Sequence, residues 1–148
     1  FRILKEIPGL DRFTELEQPE RLKVRVNSFS YMNGIPLDKV HGGGFVYDCR
    51  GLPNPAKIDK LRNLTGLDKP VELFMGKQDD VREFLADAER MVKRSVKSYI
   101  KKDYTSLAVS FGCTGGKHRS VYCAEKLAKR LKAIDGIEIE VIHRDKEN

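Results

Sequence analysis

Residues 106–131 read SLAVSFGCTGGKHRSVYCAEKLAKRL. The opening SLAVSF is short, apolar and bounded by turn formers, the pattern of a buried strand. A glycine-rich turn follows. An amphipathic pattern then begins at once, with Val121, Ala124, Leu127, Ala128 and Leu131 on one face. It predicts a helix from about His118 to Ile134, stopped by Asp135-Gly136. Strand, tight turn and helix in that order form the repeating unit of an α/β domain.

The flanking segments continue the pattern. IEIEVIH (137–143) alternates Ile137, Ile139 and Val141 and predicts a last strand. From Gln78 to Lys102, Val81, Phe84, Leu85, Ala88, Val92, Val96 and Tyr99 recur at helical steps. Asp79, Asp80 and Glu83 sit in the first turn of that helix and Lys101 and Lys102 in its last, both favourable to the helix dipole. RLKVRVNSFS (21–30) alternates as a half-buried strand, with Leu22, Val24 and Val26 on one side and Lys23, Arg25 and Asn27 on the other. YMNGIP (31–36) signals a turn, HGGG (41–44) a flexible loop with His41 at the surface, and FVYDCR (45–50) a second strand. Residues 51–70 hold three prolines and read mostly as loop, with a short helical turn near Ile58–Leu61. Residues 1–20 read as a linker or lead-in segment to a single domain over 21–148. The element order predicts an α/β fold, three-layer, with a mostly parallel or mixed central sheet flanked by helices.

The chain has 148 residues, a single-domain length, and 40% hydrophobic content suffices for a core. No apolar run approaches a membrane span, so no membrane partner is expected. Phe1 opens FRILKEIPGLDRF, which reads as a segment leaving another part of a longer protein. The three cysteines, Cys49, Cys113 and Cys123, make no CxxC pair and no zinc spacing. Reduced thiols, a cytoplasmic location and no metal or cofactor are the expectation. A net charge of +6 suits phosphate ligands or RNA.

In a parallel α/β sheet, ligands sit outside the carboxyl ends of the strands. Polar residues gather there: Asn27-Ser28, Asp48-Cys49-Arg50, Cys113-Thr114 and His143-Arg144. The turn GCTGGKHRS (112–120) is the richest. Gly115 and Gly116 allow close approach of the backbone, and the helix start presents N–H groups to an anion. Thr114 and Ser120 add hydroxyls, His118 and Lys117 donors or charge, and Arg119 a two-pronged phosphate grip. It is not a Walker A loop, because Lys117 is followed by His118, so ATP hydrolysis is not expected.

Two chemistries stay open. The turn either binds a phosphate or sulfate group without reacting, or works as a Cys-x5-Arg phosphatase. In the second reading Cys113 is the nucleophile, Arg119 holds the oxygens and Asp48 is the general acid. Gly112 stands where such phosphatases carry histidine. On the long helix, Lys93, Arg94, Lys97, Lys101 and Lys102, with Tyr99 and Tyr104, form either a solvated face or an RNA-binding stripe.

GCTGGKHRSV, YDCRGLPNP (47–55), LTGLDKPV (64–71) and NGIP (33–36) together resemble the C-terminal domain of the RapZ family of RNase adapter proteins. The matching blocks run from about Ser28 to Arg144. The resemblance implies a phosphofructokinase-subdomain-like fold and a preceding P-loop nucleotide-binding domain in the full-length protein. It also implies binding of an amino-sugar phosphate such as glucosamine-6-phosphate, homo-oligomers, and delivery of small RNAs to an endoribonuclease. Carried over, Cys113, Thr114, Gly115, Gly116, His118 and Arg119 would hold the phosphate, with Asp48 and Arg50 from the second strand end and Ser28 from the first. His143 and Arg144 would line the pocket or contact RNA. The terminal RDKEN departs from the basic tail of RNA-binding members, since Asp145 and Glu147 dilute its charge.

Overall fold

The computed structural model describes residues 21–38 and 42–147. The lead-in reading of residues 1–20 and the surface reading of His41 therefore lie outside the described residues. Four strands form the sheet: β1 (Leu22–Ser30), β2 (Gly44–Asp48), β3 (Ser106–Cys113) and β4 (Ile137–His143). The helices are α1 (Asp59–Arg62), α2 (Lys69–Gly76), α3 (Asp79–Lys101) and α4 (Arg119–Leu131). The strand order is β2-β3-β1-β4, and all three pairings are parallel. This is the expected α/β class, a parallel sheet flanked by helices.

The alternation read in β1 sets the two faces of the sheet. Val24 pairs with Leu107 and Ile139, and Val26 with Val109 and Val141, so these side chains share one face. They join Val81, Leu85, Val92 and Val96 of α3 and Cys123, Leu127 and Leu131 of α4 in one core. Tyr47, Phe84 and Phe111 close it with ring centroids 5.4–6.3 Å apart. The opposite face is polar: Arg25 donates to Ser106 Oγ (2.7 Å) and Asn27 to Ser110 Oγ (3.1 Å).

Connectivity places the candidate edge. Pro36, Leu37, Asp38 and Gly43, in the connection from β1 to β2, lie beside Arg25, Asn27 and Ser110 on the polar face. The chain leaves β3 through α4, which packs on the core face. The connections of two adjacent parallel strands thus part to opposite sides, the topological position at which sheets of this kind bind ligands.

Three local readings change. β2 ends at Asp48, so Cys49 and Arg50 lie in the following turn, although Cys49 N still donates to Gly112 O (2.7 Å). α4 starts at Arg119 and stops at Leu131. The proline-rich region runs into a further helix, α2, with Pro70 in its first turn and Val71 and Met75 buried. Two apolar contacts four residues apart are too few to register as a period, and Pro70 reads as a breaker when it is a helix starter.

Candidate functional site

The site is built at the carboxyl edge of the sheet, where all four strands end side by side. β3 delivers Cys113, the turn 114–118 crosses the edge, and α4 begins at Arg119. The first N–H groups of α4 have no partner within the helix, and the dipole favours negative charge there. Thr114 and Gly115 are exposed, and a Cβ on Gly115 would meet nothing within 4 Å. Gly116 has φ +71°, and a Cβ there would lie 2.8 Å from Ser30 N. Both the backbone angle and the close approach therefore require glycine.

Arg119 is 5% exposed and binds the neighbouring turn. Its Nη1 donates to Arg50 O (2.7 Å) and Leu52 O (3.2 Å), and its Nε is buried without a hydrogen-bond partner. Arg119 thereby ties the start of α4 to the segment after β2. That segment carries a preformed ion pair: Arg50 Nε and Nη2 donate to Asp48 Oδ1 (2.9 Å) and Oδ2 (2.8 Å). The guanidinium also lies over the Tyr31 ring, 3.8 Å from its centroid. The Arg50 hydrogen bond holds the Asp48 carboxyl below its usual range. Burial, helped by the Asp48 charge, pushes the Tyr31 hydroxyl above its own.

Other expected ligand residues are occupied elsewhere. The His118 side chain is bound to the segment after β2; its Nε2 lies 3.1 Å from Leu61 O. Burial lowers its pKa, so the ring is held neutral and donates to that carbonyl. Ser120 is fully buried, and its Oγ lies 3.1 Å from Cys113 Sγ. Cys113 itself is 2% exposed. Ser28 is also fully buried, 2.6 Å from His143 Nδ1, and His143 Nε2 lies 2.8 Å from Glu125 Oε1. Ser28, His143 and Glu125 form a hydrogen-bonded chain from β1 through β4 to α4. Arg144 is an internal clamp, with Nη2 donating to Gly34 O (2.6 Å) and to Asp145 Oδ2 (2.9 Å). Lys97 and Lys101 sit on an α3 face shared with Arg90, Lys93 and Arg94.

Several members of the site escape a reading by residue type. Ser30 donates from Oγ to Thr114 O (2.5 Å). Asp145, read from sequence only as diluting a basic tail, is 5% exposed and accepts from Ser30 N (2.7 Å). The LTG block has a packing reason: a Cβ on Gly66 would lie 2.5 Å from His118 O and Tyr122 N, so only glycine lets this loop meet the start of α4. Thr65 and Asp68 fix that turn, with Thr65 N donating to Asp68 Oδ2 (2.7 Å). Gly112 leaves no room for a larger residue, since its Cβ would lie 2.4 Å from Phe29 Cζ.

All three cysteines are free and buried. The hydrogen bond to Cys123, with burial, raises the Cys49 thiol well above its ordinary range, the behaviour of an inert core thiol. Among the described residues no group of three or more histidines, cysteines or carboxylates could hold a metal. No helix among them is long and apolar enough to cross a membrane.

Fold and edge together define a parallel α/β domain whose glycine turn leads from a central strand into a helix. Comparison with known proteins sharpens that class. The family model described as the RapZ C-terminal domain matches residues 22–147, and the chain belongs to that family. A nucleotide-binding protein of Thermobifida fusca is 44% identical over 127 residues, which cover 84% of this chain and 41% of the relative. A nucleotide-binding protein of Thermotoga neapolitana is 39% identical over 144 residues, covering 97% of this chain and 48% of the relative. One from Clostridium acetobutylicum is 40% identical over 125 residues, covering 84% and 41%. The chain therefore spans less than half the length of the curated relatives it matches.

Proposed function

We propose that this domain is a non-catalytic binding module for a phosphorylated metabolite of the amino-sugar phosphate class, and that it regulates an attached domain or partner. The observation that carries the reading is the Arg119 bridge. It joins the anion-favouring start of α4 to the turn that carries the Asp48–Arg50 ion pair, so a phosphate-binding element and a carboxylate lie on one connected edge. A phosphate on the 114–119 turn would meet helix N–H groups, the Thr114 hydroxyl and the unpaired Arg119 Nε. The ammonium or hydroxyls of the sugar would meet Asp48, and Arg50 would turn from Asp48 toward the anion.

Catalysis by Cys113 is less well supported. An attacking cysteine needs an exposed thiolate, whereas this thiol is buried against Ser120. The test is calorimetric titration of glucosamine-6-phosphate, with inorganic phosphate and glucosamine as controls. The reading expects binding at least about tenfold tighter than phosphate, abolished by Arg119→Ala and retained by Cys113→Ser. Equal, weak binding of every phosphate would sink it, and phosphate release lost in Cys113→Ser would replace it with the phosphatase.

A second reading, RNA binding, is favoured by one separate feature. Arg94, Lys97 and Lys101 line one face of α3, and the Tyr104 ring is exposed at its end. Basic side chains one helical turn apart beside an aromatic platform suit a single-stranded phosphate backbone. Delivery of that RNA to an endoribonuclease, and assembly into homo-oligomers, belong to the same reading.

A further inference from the structure

The C-terminal segment after β4 contains a charged residue that the proposed function does not use. Asp145 lies at the meeting point of three chain segments. Its Oδ2 accepts from Ser30 N at the end of β1 (2.7 Å) and from Arg144 Nε (3.0 Å) and Nη2 (2.9 Å). Its Cβ would be 2.9 Å from a Cβ placed on Gly116, so the glycine turn rests directly on it. Ser30, fixed by this carboxylate, donates from Oγ to Thr114 O (2.5 Å). Arg144 completes the set by holding Gly34 O (2.6 Å).

A carboxylate so deeply buried is costly unless fully paired. Its location is odd on electrostatic grounds as well, since a negative charge beneath an anion-binding turn lowers affinity.

We propose that Asp145 is a positioning residue: without touching the ligand, it locks Ser30 and the Thr114–Gly116 turn in register, so that the turn is preorganised for an anion. This rests on the reading of the turn as an anion site. The bound anion then meets N–H groups already aimed, and Arg144 cancels the charge of Asp145 so that little affinity is lost.

Charge and geometry predict opposite signs. In Asp145→Asn one negative charge next to the site disappears and Arg144 is left uncompensated, so charge alone predicts tighter binding. Positioning predicts weaker binding, by about tenfold or more. Sulfate is the probe, because its charge is constant near neutral pH. Its affinity for the intact chain is measured by titration followed through backbone amide resonances, well below the melting temperature of each variant. The expected result is weaker sulfate binding in Asp145→Asn, with altered Gly115 and Gly116 amide shifts in the free protein. Ser30→Ala, which cuts the next link and leaves the ion pair whole, should weaken binding in the same direction, and it decides the matter if Asp145→Asn does not fold. Equal or tighter binding in folded Asp145→Asn, or unchanged binding in Ser30→Ala, overturns the positioning role. No sulfate response at Gly115 or Gly116 in the unaltered chain overturns the anion site itself, and the positioning role with it.

Discussion

The side chain of His118 shows how a residue of ligand type becomes a structural one. It lies next to the glycine turn, but its ring is buried and donates to Leu61 O. Because burial lowers its pKa, the unfolded chain takes up a proton before the folded one does as pH falls. The stability involved is complete above the ordinary histidine range and is lost as pH drops through it toward the depressed folded value. His118→Gln keeps a donor for Leu61 O but cannot titrate. Urea denaturation between neutral pH and about pH 5 should therefore show the unaltered chain losing more stability than the variant. Equal losses would mean that His118 is free to charge in the fold. Gly66 makes the second residue-level prediction. Its missing Cβ admits His118 O and Tyr122 N at 2.5 Å, and neither is the movable end of a side chain. Gly66→Ala should cost about 1–3 kcal/mol in chemical denaturation, because the backbone must shift.

At the scale of elements, α4 links core and site. Its buried face, including Cys123, Leu127 and Leu131, packs on the sheet, and its first residue, Arg119, holds the turn after β2. Leu127 is fully buried, so Leu127→Ala should cost about 2–5 kcal/mol, read by denaturant unfolding. α3 has a similar buried face and a basic outer one. If that outer face tracks a nucleic-acid backbone, Lys97→Glu with Lys101→Glu should weaken single-stranded RNA binding and reduce its salt slope by about 1.5. Fold stability should change little, since these lysines lie outside the core. The helix α2 illustrates the limit of periodicity. Residues 51–70 carry prolines that punctuate the sequence without forbidding a helix, and Pro70 sits in the first turn of one.

Across the whole molecule, an all-parallel sheet brings every strand end to one edge, so binding there connects segments that are distant in sequence. A ligand that binds only the folded state should raise its stability by about 2.7 kcal/mol at a concentration a hundredfold above Kd. A stabilisation of that size by the amino-sugar phosphate in chemical denaturation, absent in Arg119→Ala, would match the proposed function. The class of fold and the position of the glycine turn were legible from local pattern alone. Alternation in Leu22, Val24 and Val26 and helical spacing in Val121, Ala124 and Leu127 are set by which side chains must leave water, and that is a property of short stretches. Which polar residues at the strand ends keep their hydrogen-bonding groups for a ligand was not legible. Ser28 and His118 carry the chemistry of ligand residues, yet the fold spends their hydrogen bonds on His143 and Leu61 O. Asp145 looked like a stray tail charge, yet it sits 115 positions from the Ser30 N–H it holds. A buried polar group must find a partner wherever the packed chain supplies one, and that partner is fixed only when distant segments meet.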